Sequence, residues 1–198
     1  LRVAAVFIVA TFIITSMVRE ANDKVTELML SQPAPRSGYF LGKFGGYGVA
    51  AALLALAFAL PLAFFAPLPG VIAWAASLIC ELLIVTSVSL FCVVSLTQVL
   101  SAFAATAGFY LLSRSMAAMQ IIAGASVTGE PTFTDTAINW IVNAIALLLP
   151  ALDRMVKTDW LVDAGPGLGE AIDLGSQSLV YILLIAGATL FDLHRRNY

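Results

Sequence analysis

Long runs of apolar residues, interrupted by two polar stretches, dominate the pattern of this chain. The apolar runs are continuous rather than alternating, which predicts helices instead of half-buried strands. At about 20 residues per crossing, the runs predict five transmembrane helices. These cover residues 1–18, 40–65, 71–98, 101–124 and 174–190. The predicted fold class is therefore all-α, a polytopic helical membrane protein with a single transmembrane domain over residues 1–198.

The first polar stretch, residues 19–38, has internal order. Val25, Leu28 and Met29 fall at positions i, i+3 and i+4, which places three apolar side chains on one face of a short helix. A Pro-Ala-Pro sequence then ends this helix, because proline removes a backbone donor. Ser37 suits the N-cap of the helix that follows. The pattern predicts a short amphipathic helix at the membrane surface, with one face available to a partner.

The second polar stretch, residues 125–173, contains one apolar segment that is too short to cross a bilayer. Ala137–Leu149 has about 13 residues, whereas a crossing takes about 17–25. We therefore expect a re-entrant or interfacial helix pair that turns at Pro150. Asn139 and Asn143 lie one helical turn apart, and they either bond neighbouring helices at the turn or form the wet face of an interfacial helix.

Charge predicts the orientation of the bundle, because basic residues mark the cytoplasmic side. Basic residues concentrate around the first polar stretch and in the C-terminal tail 191–198: Arg19, Lys24, Arg36, Lys43, Arg195 and Arg196. Residues 125–173 instead carry seven acidic residues against two basic ones. We expect residues 19–38 and 191–198 in the cytoplasm and residues 125–173 outside. The three tryptophans then fall at the outer interface: Trp74, Trp140 and Trp160.

Composition supports a membrane protein without catalytic chemistry of its own. Hydrophobic residues make up 61% of the 198 residues and charged residues 11%, against about 45–50% and about 25% in soluble domains. The chain has no phosphate-binding loop signature, and its single histidine, His194, lies in the basic tail. We predict no catalytic residue, metal site or cofactor in this chain. No basic stripe indicates nucleic-acid binding.

Two ionisable residues lie inside predicted spans. Glu81 and Arg114 each cost roughly 2.5–3.5 kcal/mol on insertion scales when they face lipid, so each should face protein or water. Their predicted depths are comparable, so the two consecutive antiparallel helices could bring them together. Such a pair would either fix helix packing or contact a substrate, and the sequence leaves both roles open.

The run from Thr26 to Arg36, followed by Tyr-Phe-Leu-Gly-Lys at 39–43, resembles the cytoplasmic loop of ABC type-2 transporter permeases. In that family a glutamate-containing helix, a Leu-Ser-x-Pro turn, an arginine and a Gly-Lys pair precede the next transmembrane helix. The matching positions here are Glu27, Leu28, Leu30, Ser31, Pro33, Arg36, Gly42 and Lys43. Val25 stands where the family often has a glycine.

The resemblance implies a permease subunit of a bacterial-type plasma (inner) membrane that moves a substrate, usually by export. It implies that a coupling helix touches a separate ATPase subunit, which holds the ATP and Mg²⁺. The ATPase-coupling residues would be Val25, Glu27, Leu28, Met29, Leu30 and Arg36. It also implies a second permease copy, with a homodimer expected, and one further helix upstream. An accessory protein on the outer side is compatible with it.

Two other function classes remain as alternatives. A non-transporting membrane scaffold or mechanical transducer would relay the strokes of an ATPase partner to the outer side. An ion-driven secondary transporter is disfavoured, because only one acidic residue lies in a predicted span and no inverted repeat is evident.

Overall fold

The computed structural model describes residues 1–23, 36–96, 98–124, 140–142, 144–145, 149–150, 152–155 and 168–195. Every regular element within these ranges is helical, so the predicted all-helical class is confirmed. The long helices are α1 (Arg2–Asn22), α2 (Arg36–Ala59), α3 (Leu68–Leu96), α4 (Val99–Gly124) and α5 (Leu168–Arg195). Two 3-10 helices, Pro61–Phe64 and Leu152–Met155, accompany them.

Four of the described helices are long and apolar enough to cross a membrane, in agreement with the composition. Their candidate spans are Arg2–Asn22, Gly38–Phe64, Leu68–Leu96 and Ile172–Asp192. Helix α4 has 26 residues but is not among them, and it carries Arg114 and Gln120. A fifth crossing by α4 therefore remains a prediction from the sequence.

Helix α3 is the centre of the bundle and packs against α1, α2, α4 and α5. It is apolar around its whole circumference, which is typical of a helix surrounded by protein. In an 18-residue apolar stretch of α3, 72% of the residues are buried, against 11% in the corresponding stretch of α5. Side chains that form the core on α3 include Leu78, Leu82 and Ile84, all at 0% exposure. Any residue that points from the other helices toward α3 is therefore withdrawn from lipid.

The helix ends beside the first polar stretch differ from the predictions. Helix α1 continues to Asn22, so the first four residues of the polar stretch 19–38 belong to α1 instead. Helix α2 already begins at Arg36, which places Ser37 inside the helix rather than at its N-cap. Backbone hydrogen bonding does not require apolar side chains, so both helices extend past the apolar runs that marked them in the sequence.

Two more helices are longer than predicted. Helix α3 begins at Leu68 rather than at residue 71, with Pro69 in its first turn, where the missing proline N–H has no helical partner to lose. Helix α5 covers 168–195, not 174–190, and so includes six residues assigned to the outer stretch and five assigned to the tail. Hydropathy marks only the part of a helix that suits hydrocarbon.

Candidate functional site

A charged cluster surrounds Glu81, which lies thirteen residues after Leu68 in the 29-residue helix α3 and is 0% exposed. Arg2 of α1 donates from Nη1 to Glu81 Oε2 over 3.2 Å. Tyr110 of α4 donates from its hydroxyl to Oε1 over 3.0 Å. Arg114 Nη1 lies 3.6 Å from the same Oε1 and donates to the Tyr110 hydroxyl over 3.1 Å. The structure thus brings Glu81 and Arg114 together, as their depths in the sequence allowed.

Arg2 is the most heavily bonded member of the cluster, and the sequence analysis missed it. Its Nη1 also donates to the Met155 carbonyl over 2.9 Å. Its Nη2 donates to the Trp74 carbonyl over 3.2 Å and to Ser77 Oγ over 2.7 Å. The guanidinium carbon lies 4.7 Å from the centroid of the Trp74 ring, within cation–π range. Arg2 is therefore held by a carboxylate, a hydroxyl, two carbonyls and an aromatic ring.

A weak signal for the burial of Arg2 exists in the sequence. Residues three, four and seven positions later, Ala5, Val6 and Val9, lie on the same helix face and are all buried. The apolar run, however, is apolar all round, so the pattern cannot say which face meets protein. A charge near the start of such a run suggests solvent exposure, and only the position of α3 withdraws it from solvent.

The cluster combines two guanidinium groups with one carboxylate. The side chains of Arg2 and Glu81 are 6% and 0% exposed, whereas that of Arg114 is 31% exposed. Buried charges are tolerated when they are paired and hydrogen-bonded, and removal of one partner is strongly destabilising. Glu81 therefore binds both α1, through Arg2, and α4, through Tyr110, at one position along α3. The exposed edge of Arg114 is the one part of the cluster that a ligand could reach.

Trp74 packs inside the bundle rather than facing outward from it. It is 3% exposed and packs beneath Arg2, because its ring face and its carbonyl both bind the guanidinium. Trp140 is 74% exposed, and Trp160 lies outside the described residues. The position of the three tryptophans at one membrane interface stays a prediction.

The residues that follow the short apolar segment of the second polar stretch are buried in the bundle. Leu152 and Met155, which begin and end the second 3-10 helix, are both 0% exposed, and that helix packs against α3 and α4. The Met155 carbonyl accepts from Arg2, and the Leu149 carbonyl accepts from the Tyr181 hydroxyl over 2.9 Å. Side chains thus satisfy carbonyls of irregular backbone, as a site away from water requires.

The predicted gate residues are only partly described. Pro150 is buried, whereas Asn139 and Asn143 lie outside the described residues. Residues 140–142 and 144–145 are helical, and Trp140 at their start is exposed. The described part of the apolar segment therefore begins exposed, and Leu149 and Pro150 after it are buried.

The opposite end of α1 carries a second charge pair. Lys43 of α2 forms an ion pair with Glu20 of α1, and the Tyr47 hydroxyl donates to Ser16 Oγ over 3.1 Å. These contacts join the two helices that flank residues 24–35. The predicted coupling residues Val25, Glu27, Leu28, Met29 and Leu30 lie outside the described residues, and Arg36 is the first residue of α2.

Comparison with known proteins adds no relative from which a role could be transferred. Among the described residues, no three potential metal ligands come together. No protein-family model, curated protein or solved structure matches this chain. A role for this chain is therefore inferred from the sequence of residues 19–38 and from the geometry of the two charge pairs.

Proposed function

We propose that this chain is the membrane-spanning permease subunit of an ABC transporter, which moves a substrate across the membrane with ATP hydrolysed by a separate subunit. The observation that carries the proposal is the anchoring of α1 at both ends. One end adjoins the stretch that resembles a coupling loop, and the other end holds the buried cluster. A helix tied in this way can transmit a displacement of the loop to the far side of the bundle.

The anchoring contacts differ at the two ends but share one effect. At the loop end, Glu20 and Ser16 bind Lys43 and Tyr47 of α2. At the far end, Arg2 binds α3 and the Met155 carbonyl. The 21 residues of α1 span about 32 Å at 1.5 Å per residue, which is close to the thickness of a bilayer core. Movement imposed on the loop by an ATPase would reach the cluster through one rigid helix.

The outer segment is the part that such a movement would act on. In this proposal Ala137–Leu149 dips into the bundle from the outer side, and the chain turns at Pro150. Tyr181, which binds the Leu149 carbonyl, lies thirteen residues after the start of α5, or about 20 Å along it. Burial of Leu152 and Met155 supports a segment that closes the outer end of a transport path.

The second candidate is a mechanical transducer that transports nothing. The same two-ended anchoring favours it, because a transducer needs a stiff connection and no path for a substrate. In both cases the loop faces the cytoplasm and an ATPase binds there. The two candidates differ in one measurable property, which is substrate movement driven by ATP.

Charging the apolar face of the predicted coupling helix tests the ATPase partnership. We expect the full chain, tagged and purified from its native membrane, to carry an ATP-hydrolysing subunit. Leu28→Asp should strip that subunit or abolish the coupling of its ATPase, because the new carboxylate would be buried at the contact. Thr26→Asp places the same charge outside the predicted face and should leave the complex intact.

The measurements that compare the two variants are the subunit stoichiometry and the ATPase rate after reconstitution. An ATPase subunit that stays bound and coupled in Leu28→Asp would contradict the proposed contact. Loss of the subunit in both variants would show that the loop does not present one specific face. ATP-dependent movement of any solute, lost in Leu28→Asp alone, separates the permease from the transducer.

A further inference from the structure

A groove lies between α1 and α2 near the end of the bundle where residues 24–35 join them. Its volume is about 600 Å³. Its walls combine aromatic and charged side chains with small residues, which include Ser16, Gly42, Gly46 and Ala50. A cavity of about 170 Å³ adjoins it and shares Phe12, Tyr47 and Ala50 with it. We call the two adjacent spaces together the α1–α2 groove.

Glycines keep this groove open. Gly38, Gly42 and Gly46 recur every four residues, which puts them on one face of α2. A Cβ added at Gly42 or Gly46 would meet no described atom within 4 Å. Gly48 differs, because its Cβ would lie 3.2 Å from Leu83 Cδ2 in the packed interface with α3. Within the described part of the chain, α3 therefore packs against the face of α2 that carries Gly48, and no residue packs against the face that carries Gly42 and Gly46.

The end of the groove nearest residues 24–35 is polar and carries both signs of charge. The ion pair of Lys43 and Glu20 lines it, with side chains 24% and 27% exposed. The rings of Tyr39 and Tyr47 both lie 5.9 Å from Lys43 Nζ. Aromatic faces attract ammonium groups, including those of ligands. A cation, a carboxylate and two cation-binding ring faces therefore meet at one point.

The other end of the groove is apolar. Ile8, Phe12 and Leu54 line it, and all three lie farther along their helices from residues 24–35 than Glu20 and Lys43 do. From Gly46 to Leu54 the helix rises about 12 Å, close to half of a bilayer core of about 30 Å. Polar groups close to residues 24–35 and apolar groups farther from them follow the order of a lipid head group and its acyl chain.

We propose that the α1–α2 groove binds one zwitterionic glycerophospholipid from the leaflet at which residues 24–35 emerge. Its phosphate binds Lys43, its ammonium binds Glu20 and the two tyrosine rings, and an acyl chain lies along Phe12 and Leu54. The inference needs only that these helices cross a membrane, and it is independent of any transport activity.

Charge complementarity selects the zwitterion over a purely anionic lipid. Lys43 already has Glu20 as its partner, so an anionic head group would displace Glu20 and leave that carboxylate unpaired. A zwitterion supplies a partner of the right sign to each residue at once. The lipid would thus replace the one charge-assisted contact between Lys43 and Glu20 with two, one to its phosphate and one to its ammonium.

Lipid retention measures the proposed site directly. The full chain is placed in nanodiscs of equal parts phosphatidylethanolamine and phosphatidylglycerol, and bound lipids are counted by native mass spectrometry after release. We expect one phosphatidylethanolamine per chain. Gly46→Leu should lower this adduct about tenfold by filling the groove, which corresponds to about 1.4 kcal/mol of binding free energy. Gly45→Leu is the matched control, since Gly45 also has open space but does not line the groove.

A second variant tests the head-group assignment without changing the groove's shape. Glu20→Gln removes the partner of the ammonium and frees Lys43, so the preference should shift about tenfold toward phosphatidylglycerol. Equal retention of both lipids by the unaltered chain would overturn the proposal, and so would an unchanged adduct in Gly46→Leu. A fall in the dimer fraction of Gly46→Leu with unchanged lipid would assign the groove to a second copy of this chain and also overturn it.

Discussion

The two charge pairs at the ends of α1 contain similar groups in different surroundings. Arg2 and Glu81 at one end are enclosed by α3, α4 and the 3-10 helix Leu152–Met155, and both are buried. Lys43 and Glu20 at the other end line an open groove and are about a quarter exposed. A tyrosine accompanies each pair: Tyr110 binds Glu81, and the Tyr47 ring lies beside Lys43.

The difference between the pairs lies in what satisfies their remaining hydrogen-bonding groups. Described residues supply a second arginine, two hydroxyls and two carbonyls to the Arg2–Glu81 pair and leave only Arg2 Nε without a hydrogen-bond partner, so that pair acts as a lock. The Lys43–Glu20 pair has space beside it that no described atom fills, so a molecule from outside can enter. Similar residues thus join helices in both places, and only the Lys43–Glu20 pair does so beside an open binding site.

Breaking the buried pair should have the largest effect. Glu81→Gln leaves the guanidinium groups of Arg2 and Arg114 without a carboxylate inside the bundle. We expect the free energy of unfolding to fall by about 3–5 kcal/mol, as found when one partner of a buried ion pair is removed. The measurement is a denaturation titration in mixed micelles, with helix content followed by circular dichroism.

Glu20→Gln is the matched control for that experiment, because it makes the same chemical change in the partly exposed Lys43–Glu20 pair. A loss for Glu81→Gln no larger than that for Glu20→Gln would mean that burial does not distinguish the two regions. The proposed role of Glu81 as a lock would then be wrong.

Arg114→Gln should have an intermediate effect. Arg114 is partly exposed, and its contact with Glu81 at 3.6 Å is longer than that of Arg2. The substitution leaves Arg2 and Tyr110 on the Glu81 carboxylate, so we expect a loss of about 1 kcal/mol. If Arg114→Gln lowers the free energy of unfolding as much as Glu81→Gln does, the Arg114 guanidinium is part of the lock. It would then not be available to bind a ligand.

Lys43→Gln should have the smallest effect on stability. Partly exposed ion pairs contribute about 0–1 kcal/mol, so the unfolding transition in a zwitterionic detergent should move little. Its consequence should appear in lipid retention instead, because Glu20 alone would repel a phosphate. A large loss of stability with unchanged lipid retention would make this pair a second lock rather than a binding site.

The fold and the site differed in how much the sequence could predict. Apolar runs predicted the positions of the helices, because a bilayer and a helix-packed core both demand apolar side chains. Their ends were less predictable: α5 extends six residues before and five after the predicted span. Backbone hydrogen bonds continue wherever polar side chains can reach water, and hydropathy does not register that continuation.

The sequence singled out the charged residues whose transfer into lipid would cost a large free energy. Glu81 and Arg114 stood out because each lies far inside a predicted span, where a charge facing lipid is expensive. Arg2 and Trp74 did not stand out, because both lie near a predicted end of a span, where a residue is expected to contact water. Their burial depends on where α3 packs against α1 and on the position of Met155 beside Arg2.

By itself, the sequence determined that this chain is helical, that its helices suit a membrane, and that Glu81 and Arg114 must face protein or water. Each of these follows from the transfer free energy of side chains that neighbour one another along the chain. Tertiary structure alone decided that Arg2 joins Glu81, that Trp74 lies beneath it, and that the glycine face of α2 stays open. Those features depend on contacts between residues as many as 153 positions apart, such as Arg2 with Met155, which no local pattern records.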